Sequence, residues 1–510
     1  MSAADLLASD FATLPAILQA HAQEQGDKIA VADASATLTY AQLDTLMNRI
    51  AGALQRDGVA QGQSVAIIAS ASVEYAAIFL GALRAGCVAA PLAPSSTPEA
   101  LAAMIGDCGA PVVFVDGENA AAIAGQHTSA KQVRLDTPEF YDWLAAEDAH
   151  PAPVTIRPED GFNIIYSSGT TGTPKGIVQS HAMRWAHIGR NSAGGYGDAV
   201  TMTSTPLYSN TTLVSFLPTL GWGGTVVLMK KFDARAFLEL AERHRATHAM
   251  LVPVQYQRIM ALPDFDRFDL SSFRLKTSTS APFSAALKAD VLKRWPGMLV
   301  EFYGMTEGGA TTGLNATEHP DKLHTVGQPL PGHDMRLIDE NGHEVPQGET
   351  GEVVGRSPAM MTGYHGREKA TADAEWYDSD GNRFIRHGDI GRFDEDGFLI
   401  LMDRKKDLII SGGFNIYPVD LEAVLKQHPA VQECTVIGVS SEAWGETPVG
   451  FYVPNTSIAT SSAEIMSWTN AQLGKTQRLS ALHAIDELPR SAIGKVLKRE
   501  LRDRLAKENA

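Results

Sequence analysis

Strand-like and helix-like segments alternate along the first half of the chain. Short apolar runs typical of buried strands are separated by longer stretches with helical periodicity, in the order 64–69, 73–83, 87–91, 97–108 and 112–115, and the alternation returns from 225 to 252. Strands that alternate with helices form parallel βα units, in which helices cover the sheet. The sequence therefore predicts an α/β fold with helices on both faces of its sheets.

The chain is too long for one hydrophobic core. Its 510 residues exceed the size of about 250–300 residues at which single cores stop growing, so at least two domains are expected. From about residue 332 short alternating runs are separated by Asn341-Gly342 and Gln347-Gly348, which are typical of hairpins. This part is predicted to be an antiparallel or β-barrel-like subdomain.

A dense run of charges at residues 403–407 is the predicted domain boundary. Taken alone, such a run is more often a solvated surface cluster. A further α/β set follows and ends in a predicted helix at 496–507. We therefore predict a large N-terminal domain over residues 1–403 and a small α+β domain over 404–510.

The composition argues against nucleic acid and membranes as partners. The formal net charge is -16, and the field of such a protein repels polyanions. The longest apolar stretch, 75–92, is interrupted by Gly81, Arg84 and Gly86, so it is interpreted as a core helix and strand and not as a membrane span.

The cysteines and the N-terminus predict a cytoplasmic protein. Cys87, Cys108 and Cys434 lie far apart and form no CxxC pair, a pattern that indicates neither a disulfide framework nor a zinc site. The first residues lack the basic region and apolar stretch of a signal peptide.

The segment 166–176, YSSGTTGTPKG, has a composition suited to holding phosphate. Glycines permit close backbone approach, and free N–H groups, hydroxyls and the ammonium of Lys175 can face phosphate oxygens. The alternative is that the segment is a solvated linker. A strand-like run precedes it and apolar residues follow it, and a linker is seldom found between two such segments. A P-loop is excluded by spacing, because Pro174 removes the N–H before the lysine and Gly176 replaces the metal-binding hydroxyl after it.

Together with other segments, this loop resembles the adenylate-forming superfamily of acyl- and aryl-CoA ligases, luciferases and adenylation domains, and within it the coumarate and feruloyl-CoA ligases. The resemblance spans nearly the whole chain and rests on six segments in order, at 167–176, 277–282, 303–307, 386–389, 404–418 and 489–495. It implies a two-step ligase that uses ATP, Mg²⁺ and coenzyme A. A carboxylate first forms an acyl-adenylate with release of pyrophosphate, and the thiol of coenzyme A then displaces AMP.

The resemblance also implies the residues that bind the nucleotide. Lys175, Thr306 and Glu307 are expected to act on the phosphates, with Glu307 and Thr170 as ligands of Mg²⁺. Asp389 is expected to accept from the ribose hydroxyls beside Arg404. The remaining nucleotide contacts are assigned to Ser167, Ser168, Gly169, Thr170, Thr171, Gly172, Ser280, Ala281, Pro282, Glu301, Phe302, Tyr303, Gly304 and Met305.

A mobile C-terminal domain is a further implication. By family resemblance Lys495 bridges the carboxylate and the α-phosphate during adenylation, and Lys406 is the hinge. Rotation about that hinge would withdraw Lys495 and present Gly412, Gly413 and Phe414 to the pantetheine chain of coenzyme A, supported by the segment 444–446.

The acid is predicted to be aromatic or hydroxycinnamic, such as ferulate or coumarate, with a medium-chain fatty acid as the alternative. The acyl pocket is assigned to Tyr208, Ser209, Asn210, Thr212, Ser280, Gly304, Gly308 and Gly309. Many relatives carry His at the position of Ser209, so a gating role for that residue does not transfer.

Other outcomes of the same chemistry stay open. A stand-alone adenylation enzyme would load a carrier protein, a luciferase-like enzyme would pass the adenylate to oxygen, and a nucleotide sensor would bind ATP without turnover. We see no Ser-bearing carrier segment after Lys495, which favours a free thiol as acceptor. Glu307 and Lys495 together argue against a sensor, and a homodimer is left open.

Overall fold

The computed structural model describes residues 1–126, 128–167, 174–189, 194–411, 414–441, 444–474, 477–491 and 494–508. Internal contacts divide the chain into two compact units. The large unit comprises residues 1–323, 329–334 and 355–385, and the small unit comprises 324–328, 335–354 and 386–510. A domain boundary at residue 404 stays a prediction.

The described residues form helices in both units. Most begin at a Ser, Thr or Asp whose side chain accepts from a backbone N–H of the first turn, as capping requires. The helices are α1 Ala3–Leu7, α2 Leu14–Glu24, α3 Tyr40–Arg56, α4 Val73–Arg84, α5 Pro98–Asp107, α6 Gly117–Ile123, α7 Pro138–Trp143, α8 His181–Gly189, α9 Asn210–Gly221, α10 Ala234–Arg243, α11 Pro253–Met260, α12 Ala285–Arg294, α13 Glu368–Asp373, α14 Pro418–Leu425, α15 Ser462–Gln472 and α16 Lys498–Glu508.

The strands are short in the large unit and longer in part of the small unit. They are β1 Ile29–Ala32, β2 Thr37–Thr39, β3 Ser64–Ile68, β4 Val88–Pro91, β5 Val112–Val115, β6 Lys131–Arg134, β7 Gly161–Ser167, β8 Lys175–Ser180, β9 Val200–Thr203, β10 Thr225–Leu228, β11 His248–Leu251, β12 Leu275–Ser278, β13 Met298–Tyr303, β14 Thr312–Asn315, β15 Gln328–Pro329, β16 Asp334–Ile338, β17 Gly351–Arg356, β18 Gly363–Tyr364, β19 Glu375–Tyr377, β20 Arg383–Phe393, β21 Leu399–Arg404, β22 Ile409–Ser411, β23 Phe414–Ile416, β24 Val431–Ser441, β25 Gly445–Pro454 and β26 Ala481–Ala484.

Two sheets build the large unit. One has nine strands in the order β15-β14-β13-β12-β11-β9-β10-β1-β2, and the other has seven in the order β18-β8-β7-β4-β3-β5-β6. Strands β9 to β13 pair in parallel, as do β3, β4 and β5. The predicted α/β alternation is therefore confirmed.

Helices pack on both faces of the seven-stranded sheet. Along β3, Val65 and Ile67 face a core shared with α4, whereas Ala66 and Ile68 face a second core shared with α5. All four side chains are fully buried. A strand buried on both faces has no polar side to show, which is why this segment is a continuous apolar run in the sequence.

Parallel strands bring three loops of the large unit to one edge of the nine-stranded sheet. The strands β9, β12 and β13 run in the same direction, so the loops that follow them, at 204–209, 279–284 and 304–311, all leave from their carboxyl ends. Ligands of open α/β sheets bind outside this edge. Ser209, Ser280 and Thr306 are thus brought to the same side of the sheet.

The small unit contains a five-stranded sheet in the order β23-β22-β25-β24, with β26 beside β25. Neighbouring residues of β24 face opposite cores: Val436 packs with α14 and α15, and Ile437 packs with α16. Apart from the sheet of this unit, the chain forms a five-stranded sheet in the order β16-β17-β20-β19 with β21 beside β20, and the pairs on β20 with β19 and β21 are antiparallel. Among the helices that the structure describes, none has the length and apolar character needed to cross a bilayer.

Candidate active site

The predicted phosphate loop joins two antiparallel strands. Residue 167 ends β7 and pairs with Lys175, the first residue of β8. The side chain of Ser167 lies outside the described part of the structure, as do Ser168, Gly169, Thr170, Thr171 and Gly172. The roles assigned to these residues therefore stay predictions.

One tyrosine lies next to two residues of the predicted phosphate site. The hydroxyl of Tyr364 donates to Glu307 Oε1 at 2.9 Å, and Lys175 Nζ lies over the Tyr364 ring, 5.1 Å from its centroid. Strand β18 places the tyrosine there, because Tyr364 pairs with Ile177 of β8. Burial and the Glu307 carboxylate raise the pKa of Tyr364 well above its ordinary value, so the phenol stays a donor.

The backbone around Thr306 is held by hydrogen bonds. Gln179 Nε2, on β8, donates to the Thr306 carbonyl at 2.7 Å, and the amide of Met361 donates to the Glu307 carbonyl at 2.8 Å. Gly308 follows with a φ of 82°, and a Cβ at this position would lie 1.9 Å from the carbonyl oxygen of Ala359. Only glycine fits here, so close backbone packing explains this residue without the pocket space predicted for it.

The loop after β12 contains a strained serine. Ser280 has a φ of 82°, a conformation that non-glycine residues rarely adopt and that concentrates at functional sites. Its hydroxyl lies 2.6 Å from that of Thr211 in the first turn of α9. Ala281 and Pro282 continue the same loop, and Ser209 caps α9 by accepting from the Thr211 amide.

The predicted acyl residues differ in their surroundings. Thr212 is fully buried, and its hydroxyl bonds Pro206 O at 2.6 Å and Thr205 Oγ1 at 2.7 Å. Asn210 is half-buried and accepts from Arg184 at 2.9 Å. Tyr208 is half-buried, and burial raises its pKa.

The predicted site residues of β13 range from buried to half-buried. Glu301 is buried and forms an ion pair with Lys288 of α12, while Phe302 and Tyr303 are half-buried. Tyr303 pairs with Thr312 of β14. Gly304 and Met305 follow, and a Cβ on Gly304 would lie 3.2 Å from Thr311 Oγ1. Gly309 accepts from the hydroxyl of Ser357.

In the small unit, Asp389 and Arg404 lie opposite each other on β20 and β21. Arg404 Nε is 3.2 Å from Asp389 Oδ1. Next along the chain, Lys405 Nζ bonds Glu352 at 2.9 Å, while Lys406 is exposed, with a pKa lowered by partial desolvation. The hinge role of Lys406 stays a prediction.

Lys495 lies at the end of a tight turn in the small unit. The Ser491 amide donates to the Lys495 carbonyl at 2.8 Å, and Gly494 has a φ of 75°. The Lys495 side chain is exposed. Gly412 and Gly413 lie outside the described residues, as does the side chain of Phe414, and Trp444 is 60% exposed.

Four residues of these sites were missed by sequence reasoning: Gln179, Arg184, Lys288 and Tyr364. Gln179 directly follows Ile177 and Val178 in β8, and Arg184 lies between Met183 and Trp185 in α8, so a polar residue within an apolar run was the available signal. Lys288 and Tyr364 gave none, because their partners are distant in sequence.

Comparison with known proteins defines the family. The model of the AMP-binding enzyme family matches residues 18–365, and that of the AMP-binding enzyme C-terminal domain matches residues 420–495. The chain belongs to the AMP-binding enzyme family. This confirms the predicted adenylate-forming superfamily and an enzyme of the acid–thiol ligase class.

Relatives of this AMP-binding enzyme cover nearly its full length. A feruloyl-CoA synthase of Amycolatopsis sp. is 33% identical over 482 residues, 93% of this chain and 95% of the relative. A fatty acid–[acyl-carrier-protein] ligase of Streptomyces coeruleorubidus is 32% identical over 503 residues, 96% of each chain.

Solved structures confirm the fold of this AMP-binding enzyme. ATP-bound MatB from Rhodopseudomonas palustris superimposes with a TM-score of 0.85 at 29% identity, covering 97% of this chain and 99% of that one. The large N-terminal α/β part followed by a smaller C-terminal part is thereby confirmed.

Proposed function

We propose that this enzyme activates a carboxylic acid with ATP and transfers the acyl group to coenzyme A. In the first step a carboxylate oxygen bonds the α-phosphorus and the bond to pyrophosphate breaks. In the second step the thiol sulfur bonds the acyl carbonyl carbon, AMP leaves and the thiol proton is released. Both steps join or separate anionic groups, so positioned cations and dipoles supply most of the rate enhancement.

The arrangement of Thr306, Glu307 and Lys175 is the observation that carries this proposal. Lys175 and Glu307 both contact Tyr364, and the Thr306 backbone is fixed from β8. A cation, a carboxylate and a hydroxyl-bearing residue thus lie on adjoining elements of one unit. We assign Thr306 to the α-phosphate and Lys175 to the distal phosphates.

The residues present fit a magnesium ion bound mostly through the nucleotide. Within the described ranges no group of three His, Cys, Asp or Glu side chains could hold a metal by itself. Mg²⁺ is commonly bound by one or two carboxylates together with water and substrate phosphates, and Glu307 supplies one carboxylate. When bound, the ion would neutralise phosphate charge.

The small unit supplies the remaining groups of the proposal. Asp389 would accept from the ribose hydroxyls beside Arg404, and Lys495 would neutralise the carboxylate and α-phosphate during the first step. The exposed side chain of Lys495 and the tight turn before it suit a cation presented on a rigid support. Lys406 would be the hinge for its withdrawal before the thiol attacks.

We propose an aromatic, hydroxycinnamic-type acid as the substrate. The feruloyl-CoA synthase relative supports this choice. The half-buried phenol of Tyr208 and amide of Asn210 also suit a ring that bears oxygen substituents, since such pockets combine apolar walls with a few polar groups.

Acid-dependent exchange of pyrophosphate into ATP tests the first step. We expect exchange with coumarate and ferulate, and at least about tenfold lower kcat/KM with straight-chain C6 to C12 acids. Exchange with the aliphatic acids alone would refute the aromatic assignment, and no exchange with any acid would refute adenylation. The test measures turnover, which a nucleotide sensor lacks.

A carrier protein is a second candidate acceptor, favoured by the fatty acid–[acyl-carrier-protein] ligase relative. The two acceptors share a phosphopantetheine arm, so the adenylation site does not discriminate between them. To distinguish the two acceptors, the enzyme is incubated with ATP, the acid and either coenzyme A or a phosphopantetheinylated carrier protein. Mass spectrometry then shows which acceptor carries the thioester. We expect thioester on coenzyme A.

A further inference from the structure

Arg184 of α8 is a fully buried cation. Its exposed fraction is 0%, and in the part of the chain that the structure describes no carboxylate lies within ion-pair distance of it. Burial lowers the pKa of Arg184 to about 9, which leaves the side chain protonated at neutral pH. A charge without a carboxylate partner is costly to bury, so its hydrogen bonds must compensate.

The guanidinium donates to three amide side chains and faces one imidazole. Nε donates to Asn163 Oδ1 at 2.9 Å, Nη2 donates to Gln179 Oε1, and Nη1 donates to Asn210 Oδ1 at 2.9 Å and faces His187 Nδ1 at 3.4 Å. Arginine has donors only. Each amide must therefore turn its oxygen toward Arg184. Its NH2 group is then the part that faces away from Arg184 and can donate to another partner.

The orientation that Arg184 imposes on the Gln179 amide determines the hydrogen bond that Gln179 makes to Thr306. Gln179 Oε1 accepts from Arg184 and also from Asn163 Nδ2 at 2.9 Å, so its Nε2 is left to donate to the Thr306 carbonyl, at 2.7 Å. Gln179 is itself fully buried. The backbone of the threonine assigned to the α-phosphate is thus held by an amide that Arg184 orients.

Arg184 also fixes the orientation of the Asn210 amide, and Asn210 is one of the residues predicted to line the acyl pocket. Asn210 begins α9, beside Thr211, whose hydroxyl contacts Ser280, and both flank the carboxyl edge of the sheet. With Oδ1 on Arg184, the two N–H groups of Nδ2 lie on the other corner of this half-buried amide. With its oxygen used by Arg184, the Asn210 amide has only N–H donors left for another partner.

We propose that Arg184 is a positioning residue that sets the hydrogen-bond polarity of both substrate sites, holding Thr306 through Gln179 and presenting the Asn210 amide N–H groups to the acid. The inference rests on the proposed function and deepens it. It assigns as substrates acids whose tails carry a hydrogen-bond acceptor, such as a ring methoxyl or hydroxyl oxygen.

Three substitutions distinguish the effect of Arg184 through Gln179 on Thr306 from its effect through Asn210 on the acid. Gln179→Glu keeps an acceptor for Arg184 but replaces the donor to Thr306. Asn210→Asp likewise keeps the acceptor for Arg184 and replaces the donor to the acid. Arg184→Met removes the donors to both amides, and Trp185→Phe is the control, because Trp185 neighbours Arg184 on α8 but bonds Asp10 O.

The measurement is kcat/KM for pyrophosphate exchange with methoxycinnamates and ethylcinnamates substituted at ring position 3 or 4. The two groups have nearly the same shape, but only methoxyl accepts. We expect Asn210→Asp and Arg184→Met to lower the ratio of kcat/KM for the methoxy substrate to that for the ethyl substrate. The decrease should be at least about threefold at one ring position, which corresponds to the loss of a weak hydrogen bond. The ratio does not depend on the folded fraction of a preparation.

Gln179→Glu is expected to lower kcat at least about tenfold by misplacing Thr306, with the methoxy-to-ethyl ratio unchanged. Trp185→Phe should match wild type in both quantities. An unchanged ratio in Asn210→Asp and Arg184→Met, or a wild-type kcat in Gln179→Glu, would overturn the inference. If the unsubstituted enzyme turns over no cinnamate, the proposed acid class fails, and the inference about Asn210 fails with it.

Discussion

The hydroxyl of Tyr364 donates to the carboxylate of Glu307 at 2.9 Å. The two residues are 57 positions apart, and the short strand β18 brings them together by pairing with β8. Because the ring of the same tyrosine lies under Lys175, one side chain orients both a predicted metal ligand and a predicted phosphate-binding cation.

Tyr364→Phe should therefore weaken use of Mg-ATP while leaving the ring under Lys175. A hydrogen bond to a charged group contributes about 1.5–3 kcal/mol, so we expect kcat/KM for Mg-ATP to fall about tenfold to a hundredfold in pyrophosphate exchange. Tyr377→Phe is the matched control, since the exposed phenol of Tyr377 also donates to a carboxylate, that of Glu375, at 2.9 Å. Equal activity of the two variants would contradict the role of Tyr364.

Replacing Ser280 by Gly and by Ala separates its backbone conformation from its hydroxyl. Both changes remove the contact with Thr211, but only Ala keeps a Cβ at a φ of 82°. The left-handed region costs a non-glycine residue about 1–2 kcal/mol. We expect Ser280→Gly to be more stable than Ser280→Ala by about 1 kcal/mol in urea unfolding, and equal stabilities would show that the loop is unstrained.

Acid should destabilise the large unit through His181. The side chain is 4% exposed, and burial lowers its pKa to about 4 from 6.5, partly opposed by Asp160. The folded state needs the neutral imidazole, so its contribution is complete above pH 6.5 and is lost as the pH falls toward 4. From 1.36 kcal/mol for each pKa unit, that loss is about 3 kcal/mol.

Urea unfolding between pH 4 and pH 7 tests this loss. His181→Gln should flatten the slope, whereas His343→Gln, which replaces a side chain that is 81% exposed, should leave it unchanged. Some slope should persist in His181→Gln, because burial also lowers the pKa of His387 to about 4. An unaltered slope in His181→Gln would refute the assignment.

Lys495→Ala should separate the two half-reactions. We expect adenylation to fall by about a thousandfold or more, since a cation that neutralises developing charge is lost, with thioester formation from synthetic acyl-adenylate retained. Lys507→Ala, another exposed lysine of the small unit, is the control. Equal loss in both half-reactions would contradict the division of labour.

The sequence predicted individual helices and strands well where a single local signal, such as a helix cap or a continuous apolar run, determines the structure. Residues 39–42 read Thr-Tyr-Ala-Gln, which is the sequence pattern of a capping box, and in the structure Thr39 caps α3 and exchanges hydrogen bonds with Gln42 at 3.3 and 2.9 Å. Strands β3 and β5 agree with their apolar runs to within one residue, because strands buried on both faces are apolar throughout.

The spacing of apolar residues by itself determined the α/β alternation, and six motifs in order carried the resemblance to the family. It did not determine which distant side chains meet. Only the tertiary structure decided that Gln179 supports Thr306, that Tyr364 bonds Glu307 and that Arg184 orients Asn210. Hydrogen bonds depend on distance and angle between atoms, and for residues 26 to 127 positions apart those are set by how the strands pair and the helices pack.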